Sequence, residues 1–128
     1  MEKINKILAE IDSLDLMDKR KLISMLLSFP DGEILYNKIQ TVVCNYYGLT
    51  SHEIQSKTRR ADVVLARFVI MYLTRKLTKQ SVTLIGRLAG GRDHATVLHA
   101  CKRIQNLMEI NQKIRKDIAN LTRLIEEN

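Results

Sequence analysis

Between Ser81 and Ile104 the chain sets out a small group of residues able to make directional polar contacts. Asp93, His94, Ala95 and Thr96 stand together, with Arg92 before them and Lys102 and Arg103 two helical turns further on. A carboxylate, an imidazole, a methyl and a hydroxyl at successive positions can bond to and pack against the edges of base pairs. The flanking cations can hold phosphate oxygens. The same residues do not compose a catalytic centre. No nucleophile is set beside a base, and no pair of carboxylates stands out. His94 and His99 are five apart, not the four that places two imidazoles on one helix face, so no metal is expected. Gly86-Arg87-Leu88-Ala89-Gly90-Gly91-Arg92-Asp93 has the glycine spacing of a phosphate-binding loop. That loop needs Lys and then Ser or Thr where Arg92 and Asp93 stand. Neither a nucleotide nor another cofactor is called for, and the chain is read as a binder rather than an enzyme.

A pair of helices must position these groups. Ser81 is placed to cap the first, with Leu84, Ile85 and Leu88 facing a core, and Gly90-Gly91 turns the chain. Asp93 then caps a second helix with Val97, Leu98, Cys101, Ile104 and Met108 on its buried side. This is a helix-turn-helix pattern, in which the second helix enters the major groove and its first turn meets the bases. Burial of Val97, Leu98 and Cys101 leaves His94, Ala95, His99 and Lys102 pointing outward. Asp93 would repel a phosphate backbone. Its place is explained by capping, by accepting from a cytosine amino group, or by both, since a carboxylate has two oxygens. His99 reads as a surface residue near phosphates.

The rest of the chain reads as helices too. Val63, Val64, Phe68, Met71 and Tyr72, broadened by Leu65 and Val69, give a long helix apolar on several sides, as a central helix must be. Thr50-Ser51-His52-Glu53 is a capping box ahead of a short helix, and Lys57, Thr58, Arg59 and Arg60 form a basic stretch after it. Ile34, Leu35, Ile39, Val42, Val43 and Tyr46 give a helix ending at Gly48. Tyr46, Tyr47 and Tyr72 fall at core or boundary positions. A last helix carries Ile110, Ile114, Ile118, Leu121 and Ile125. No alternating strand pattern occurs, so the fold class is all-α. Pro30-Asp31-Gly32 reads as a break that stops a preceding helix. It divides an N-terminal helical extension, residues 1–33, from a domain spanning 34–128. In the extension Ile4, Ile7, Leu8, Ile11 and Leu14 mark one amphipathic helix, and Leu22, Ile23, Leu26 and Leu27 a second capped by Asp15. Two such short helices cannot bury themselves alone. They pack either on the rest of the chain or on a second copy as a homodimer.

Charge follows the same division. The 128 residues carry a net charge of +7, with 45% hydrophobic and only 5% aromatic residues. Residues 1–33 hold five basic against seven acidic side chains, residues 34–105 twelve against three, and residues 106–128 four against four. The excess of +9 in the middle segment favours a polyanion there. Cys44 and Cys101 sit in apolar helical patterns and read as buried free thiols, not a disulfide framework. With no signal peptide and no membrane-length apolar run, a reducing, cytoplasmic setting is expected.

The stretch Ile85-Gly86-Arg87-Leu88-Ala89-Gly90-Gly91-Arg92-Asp93-His94-Ala95-Thr96-Val97 resembles the signature of the C-terminal DNA-binding domain of the bacterial replication initiator DnaA. The resemblance extends to Val43–Leu49, to Ser56–Arg59 and to Met71–Thr78, and covers residues 34–126. It implies a Trp repressor-like helical fold in which Asp93, His94 and Thr96 read the major groove. Arg59 would enter the adjacent minor groove at an A/T-rich tract beside CACA, and Lys57, Arg67, Arg75, Arg92 and Arg103 would hold phosphates. Ala95 stands where the family has Ser or Thr, which leaves a methyl contact with thymine in place of a hydroxyl. Ala61, Asp62, Leu65 and Ala66 replace a more basic, proline-containing stretch, and Phe68 replaces a polar residue. The full initiator carries an ATPase module that 128 residues leave no room for. Two readings follow. One is a sequence-specific duplex binder acting in replication initiation, its regulation or transcription. The other is a protein-interaction module that kept the fold but not DNA reading.

Overall fold

The computed structural model describes residues 28–127, with side chains from residue 32 onward. The helices expected before residue 28, and with them the choice between packing on the rest of the chain and on a second copy, lie outside the described residues. Contacts divide the chain into two units, 1–32 and 33–128.

Among the described residues are six helices: α1 (Ser28–Tyr47), α2 (Ser51–Gln55), α3 (Ala61–Leu77), α4 (Val82–Leu88), α5 (His94–Ile110) and α6 (Gln112–Glu127). None is long and apolar enough to cross a membrane. Pro30-Asp31-Gly32 lies inside α1, near its start, rather than ahead of it, and the boundary between the two units follows Gly32. A proline there loses nothing, because a first-turn N–H has no partner inside the helix.

Local sequence fixes where the helices end. Gly48 adopts φ +69° after α1, and the Leu49 N–H reaches back 2.9 Å to the Cys44 carbonyl. That is the bond a left-handed glycine cap makes possible. Thr50 and Glu53 then cap α2 reciprocally, the side chain of each meeting the other's backbone N–H. Ser81 Oγ accepts from the Leu84 N–H at the start of α4.

α3 is the hub. It packs on α2, α4, α5 and α6, and from Val69 to Thr74 every residue is buried. Only a helix enclosed by others buries six consecutive residues. Around it gather Tyr36, Ile39, Val43 and Cys44 of α1, Ile54 of α2, Ile85 of α4, Val97, Ala100, Cys101 and Ile104 of α5, and Ile114, Ile118, Leu121 and Ile125 of α6. Three apolar residues expected inside are not. Ile34 is 60% exposed, Leu98 42% and Ile110 82%. Ile110 ends α5 rather than opening α6. Leu98 follows Val97 by about 100° of rotation, so once Val97, Cys101 and Ile104 face α3 it must turn away.

Candidate DNA interface

α4, the Gly90-Gly91 turn and α5 form the helix-turn-helix. Both glycines have positive φ, +102° and +73°, and the chain doubles back so that the Arg92 N–H bonds the Gly86 carbonyl at 2.8 Å. A Cβ on Gly86 would run into the Arg92 carbonyl, which is backbone and cannot swing aside. Glycine at 86 and at 90 and 91 is therefore what lets α5 leave the turn where it does.

Asp93 caps α5. Its Oδ1 accepts from both the Thr96 N–H and the Thr96 hydroxyl, each at 2.8 Å. The Thr96 backbone N–H, then the Thr96 hydroxyl, holds the Asp93 carboxyl below the usual carboxylate range. Both of these bonds fall on Oδ1, and none to Oδ2 is made by the described residues. The Thr96 hydroxyl proton is spent on Asp93, so Thr96 offers lone pairs and a methyl. Asp93, His94 and Ala95 are exposed and Thr96 half-buried, and His99, Lys102 and Arg103 are exposed along the same helix. The His99 ring stands edge-on to Phe68 of α3, ring centres 5.8 Å apart. His94 and His99 join no cluster of three potential metal ligands among the described residues.

The basic stretch is a self-bonded loop between α2 and α3. Ser56 Oγ accepts from the Thr58 N–H at 3.3 Å, and Thr58 Oγ1 accepts from the Arg60 N–H at 3.3 Å. Two neighbouring arginines part company here. Arg60 is held by Glu53 at 2.6 Å and Asp62 at 2.8 Å. Arg59 is exposed and forms no ion pair with any described residue. Arg59 and Arg103 flank one shallow pocket of about 250 Å³ floored by Ala61, Val64, Leu65, Phe68 and Leu107. The loop cation and the α5 cation thus share a face. Arg75 lies elsewhere, in a cleft of about 480 Å³ with Tyr72, Lys76, Cys101 and Gln105. Lys57 is exposed.

Arg67 differs from the other cations of the sequence reading. It is only 5% exposed and is turned onto backbone carbonyls. Its guanidinium donates to the carbonyls of Ile54 at 3.0 Å, Ser56 at 2.9 Å and Thr58 at 3.4 Å. Burial, then the charge of Arg92, pulls its pKa down from the ordinary arginine value. Arg92 is half-buried and likewise turned inward, onto the Ala89 and Ser56 carbonyls. Sequence reasoning missed two further residues. Tyr36, 1% exposed, donates to Gln40 at 2.9 Å, and Gln55 bridges Gln40 at 2.8 Å to the Leu88 carbonyl at 2.9 Å. Nothing in their spacing marks Tyr36 and Gln40 as buried or Gln55 as a bridge between helices.

The family model for the bacterial dnaA protein helix-turn-helix matches residues 36–104. The chain is similar to the chromosomal replication initiator protein DnaA of Buchnera aphidicola subsp. Baizongia pistaciae, with 40% identity over 131 aligned positions, covering 95% of this chain and 28% of that protein. It is also similar to the protein of the same name from Porphyromonas gingivalis, with 36% identity over 112 positions, covering 88% of this chain and 24% of that protein. The chain spans about a quarter of the length of these curated relatives.

Proposed function

The chain belongs to the bacterial DnaA helix-turn-helix family, and from that premise we propose that it binds duplex DNA sequence-specifically, in replication initiation or its regulation. The observation that carries the reading is the exposed first turn of α5. Asp93 Oδ2, His94, Ala95 and the Thr96 methyl are presented together, and none of them is needed for the core. His94 and Asp93 supply hydrogen bonds to base edges, and the Ala95 and Thr96 methyls suit thymine. Arg59 is free to enter the adjacent minor groove, where a narrow A/T-rich tract concentrates negative potential. Lys57, Arg75, Lys102 and Arg103 are the phosphate contacts, and Arg92 adds its remaining donors from the rim of the turn.

Titration of a labelled duplex carrying an A/T-rich tract beside CACA, against a scrambled duplex, tests the proposal. His94→Ala lowers affinity for the first by about 1–3 kcal/mol. Equal affinity of the unaltered protein for both duplexes removes sequence reading. A protein-interaction module is favoured by one observation, the apolar floor of Ala61, Val64, Leu65 and Phe68 beside the loop. On that reading His94→Ala changes nothing.

A further inference from the structure

The Ser56 carbonyl is shared. Arg67 Nη2 of α3 and Arg92 Nη2 of the helix-turn-helix both donate to it at 2.9 Å. Among the described residues no carboxylate is a hydrogen-bond partner of either guanidinium. Two like charges are brought to one oxygen, partly out of water, which costs free energy unless carbonyl dipoles offset it. What the arrangement gains is geometric. Arg67 grips residues 54, 56 and 58, the last turn of α2 and the start of the basic loop. Arg92 grips the same loop from the residue that precedes the cap of α5. Gln55 adds a third tie, to the Leu88 carbonyl at the end of α4.

We propose that Arg67 and Arg92 are positioning residues that fix the distance between Arg59 and the first turn of α5, and so fix how many base pairs separate the two stretches of duplex the protein reads. The inference rests on the duplex-binding reading and adds spacing as a component of specificity. One base pair displaces a groove contact by about 3.4 Å along the axis and by about a tenth of a turn around it. A loop tied at three carbonyls cannot follow that displacement, and an untied loop can.

The test uses the whole chain and three duplexes: the A/T-tract-plus-CACA duplex, one with a base pair inserted between the two elements, and one with a base pair deleted. Binding is measured by fluorescence anisotropy over a range of salt. The unaltered protein loses tenfold or more on the shifted duplexes. Arg67→Gln weakens the matched duplex about tenfold and shrinks the shift penalty to threefold or less. It leaves the salt slope unchanged, because no phosphate contact has gone. Arg67→Lys behaves like Arg67→Gln, since one ammonium cannot span three carbonyls. If instead the salt slope falls by about 0.9, as loss of one phosphate contact requires, and Lys restores binding, Arg67 holds phosphate and the proposal is overturned. A shift penalty that survives in Arg67→Gln overturns it equally. Gln55→Ala, at an exposed residue, guards against a misfolded Arg67 variant and relaxes spacing in the same direction. Hydrogen exchange without DNA separates this inference from the duplex reading. Faster exchange of the Thr58 and Arg60 amides in the variants supports the tie even if the unaltered protein binds all duplexes alike. Unchanged exchange sinks the tie alone.

Discussion

Replacing Asp117 with Ala tests what holds α6 to α1, away from the proposed DNA face. Asp117 is 6% exposed. Its Oδ1 accepts from the Tyr46 hydroxyl at 2.8 Å and its Oδ2 from the Tyr47 hydroxyl at 3.0 Å. Asn120 donates to the Tyr46 oxygen at 3.3 Å, and the two rings sit edge-to-face with centres 5.1 Å apart. Burial, then the charge of Asp117, pushes the Tyr47 phenol above its ordinary pKa, so it remains a donor across the accessible pH range. A hydrogen bond to a charged acceptor contributes about 1.5–3 kcal/mol. Two are lost in Asp117→Ala, but Tyr46 is 37% exposed and can turn to water, so its share is discounted. The expected loss is about 2–4 kcal/mol. For a domain of this size that lowers Tm by roughly 10–25 °C. Urea unfolding followed by circular dichroism measures it as a lower midpoint with an unchanged m value. Tyr47→Phe in the same background isolates the pair, with a coupling of about 1–2 kcal/mol. A loss under about 0.5 kcal/mol, or strict additivity of the two substitutions, would refute the latch. DNA affinity measured well below the midpoint stays as it was, because no candidate contact residue touches Asp117.

Gly86→Ala forces a methyl against the Arg92 carbonyl; we expect about 1–3 kcal/mol of destabilisation and weaker DNA binding, and a melt within 2 °C of the parent would count against the tight turn. Arg59→Ala weakens DNA binding and reduces the salt slope, whereas Arg60→Ala, at a residue already paired with Glu53 and Asp62, leaves the slope unchanged; equal effects would undo the distinction between them. The Thr50 backbone and Arg60 hold the Glu53 carboxyl below its ordinary value. Its contribution to stability is therefore present above the ordinary glutamate pKa of about 4.3 and fades as pH falls through the lower folded value, so Glu53→Gln should flatten that part of an acid-unfolding profile. Burial raises the thiols of Cys44 and Cys101, so both react slowly with iodoacetamide at neutral pH in folded protein and quickly in urea; fast labelling without denaturant contradicts their burial.

How much of this was legible in the sequence depends on the kind of signal. Caps and turns were readable because their chemistry is local. Thr50, Ser81 and Asp93 each cap the helix their position suggests, and Gly48, Gly90 and Gly91 each take positive φ. The central helix was readable because a helix buried on all sides must be apolar on all sides. Adjacent apolar pairs were not. Val97 and Leu98 are equally hydrophobic, and only the placement of α3 decides that one is sealed and the other open. Pro30 left the start of α1 unreadable, because a proline that stops one helix is chemically the same as one in the opening turn of another. The largest gap was Arg67. A basic residue next to a basic loop in a cationic segment looks like a phosphate contact, and nothing in composition or spacing says that three carbonyls will turn toward it.

The site separates residues by what they are free to do. His94, Ala95 and Arg59 are exposed and take part in no core packing, so altering them should change affinity while leaving the melt alone. Arg67 and Gly86 are buried beneath the loop and the turn, so altering them should move the melt as well as the affinity. Asp93 belongs to both groups at once, since one of its oxygens holds the Thr96 backbone and the other is open. Asn at this position keeps a capping oxygen but places an amide nitrogen where the open oxygen was, turning an acceptor into a donor. Asp93→Asn should therefore melt close to the parent yet shift base preference at the position it faces, away from a cytosine amino group and toward a base that presents an acceptor. A variant that loses affinity evenly for all four base pairs at every position would mean that Asp93 acts on the helix and not on the DNA.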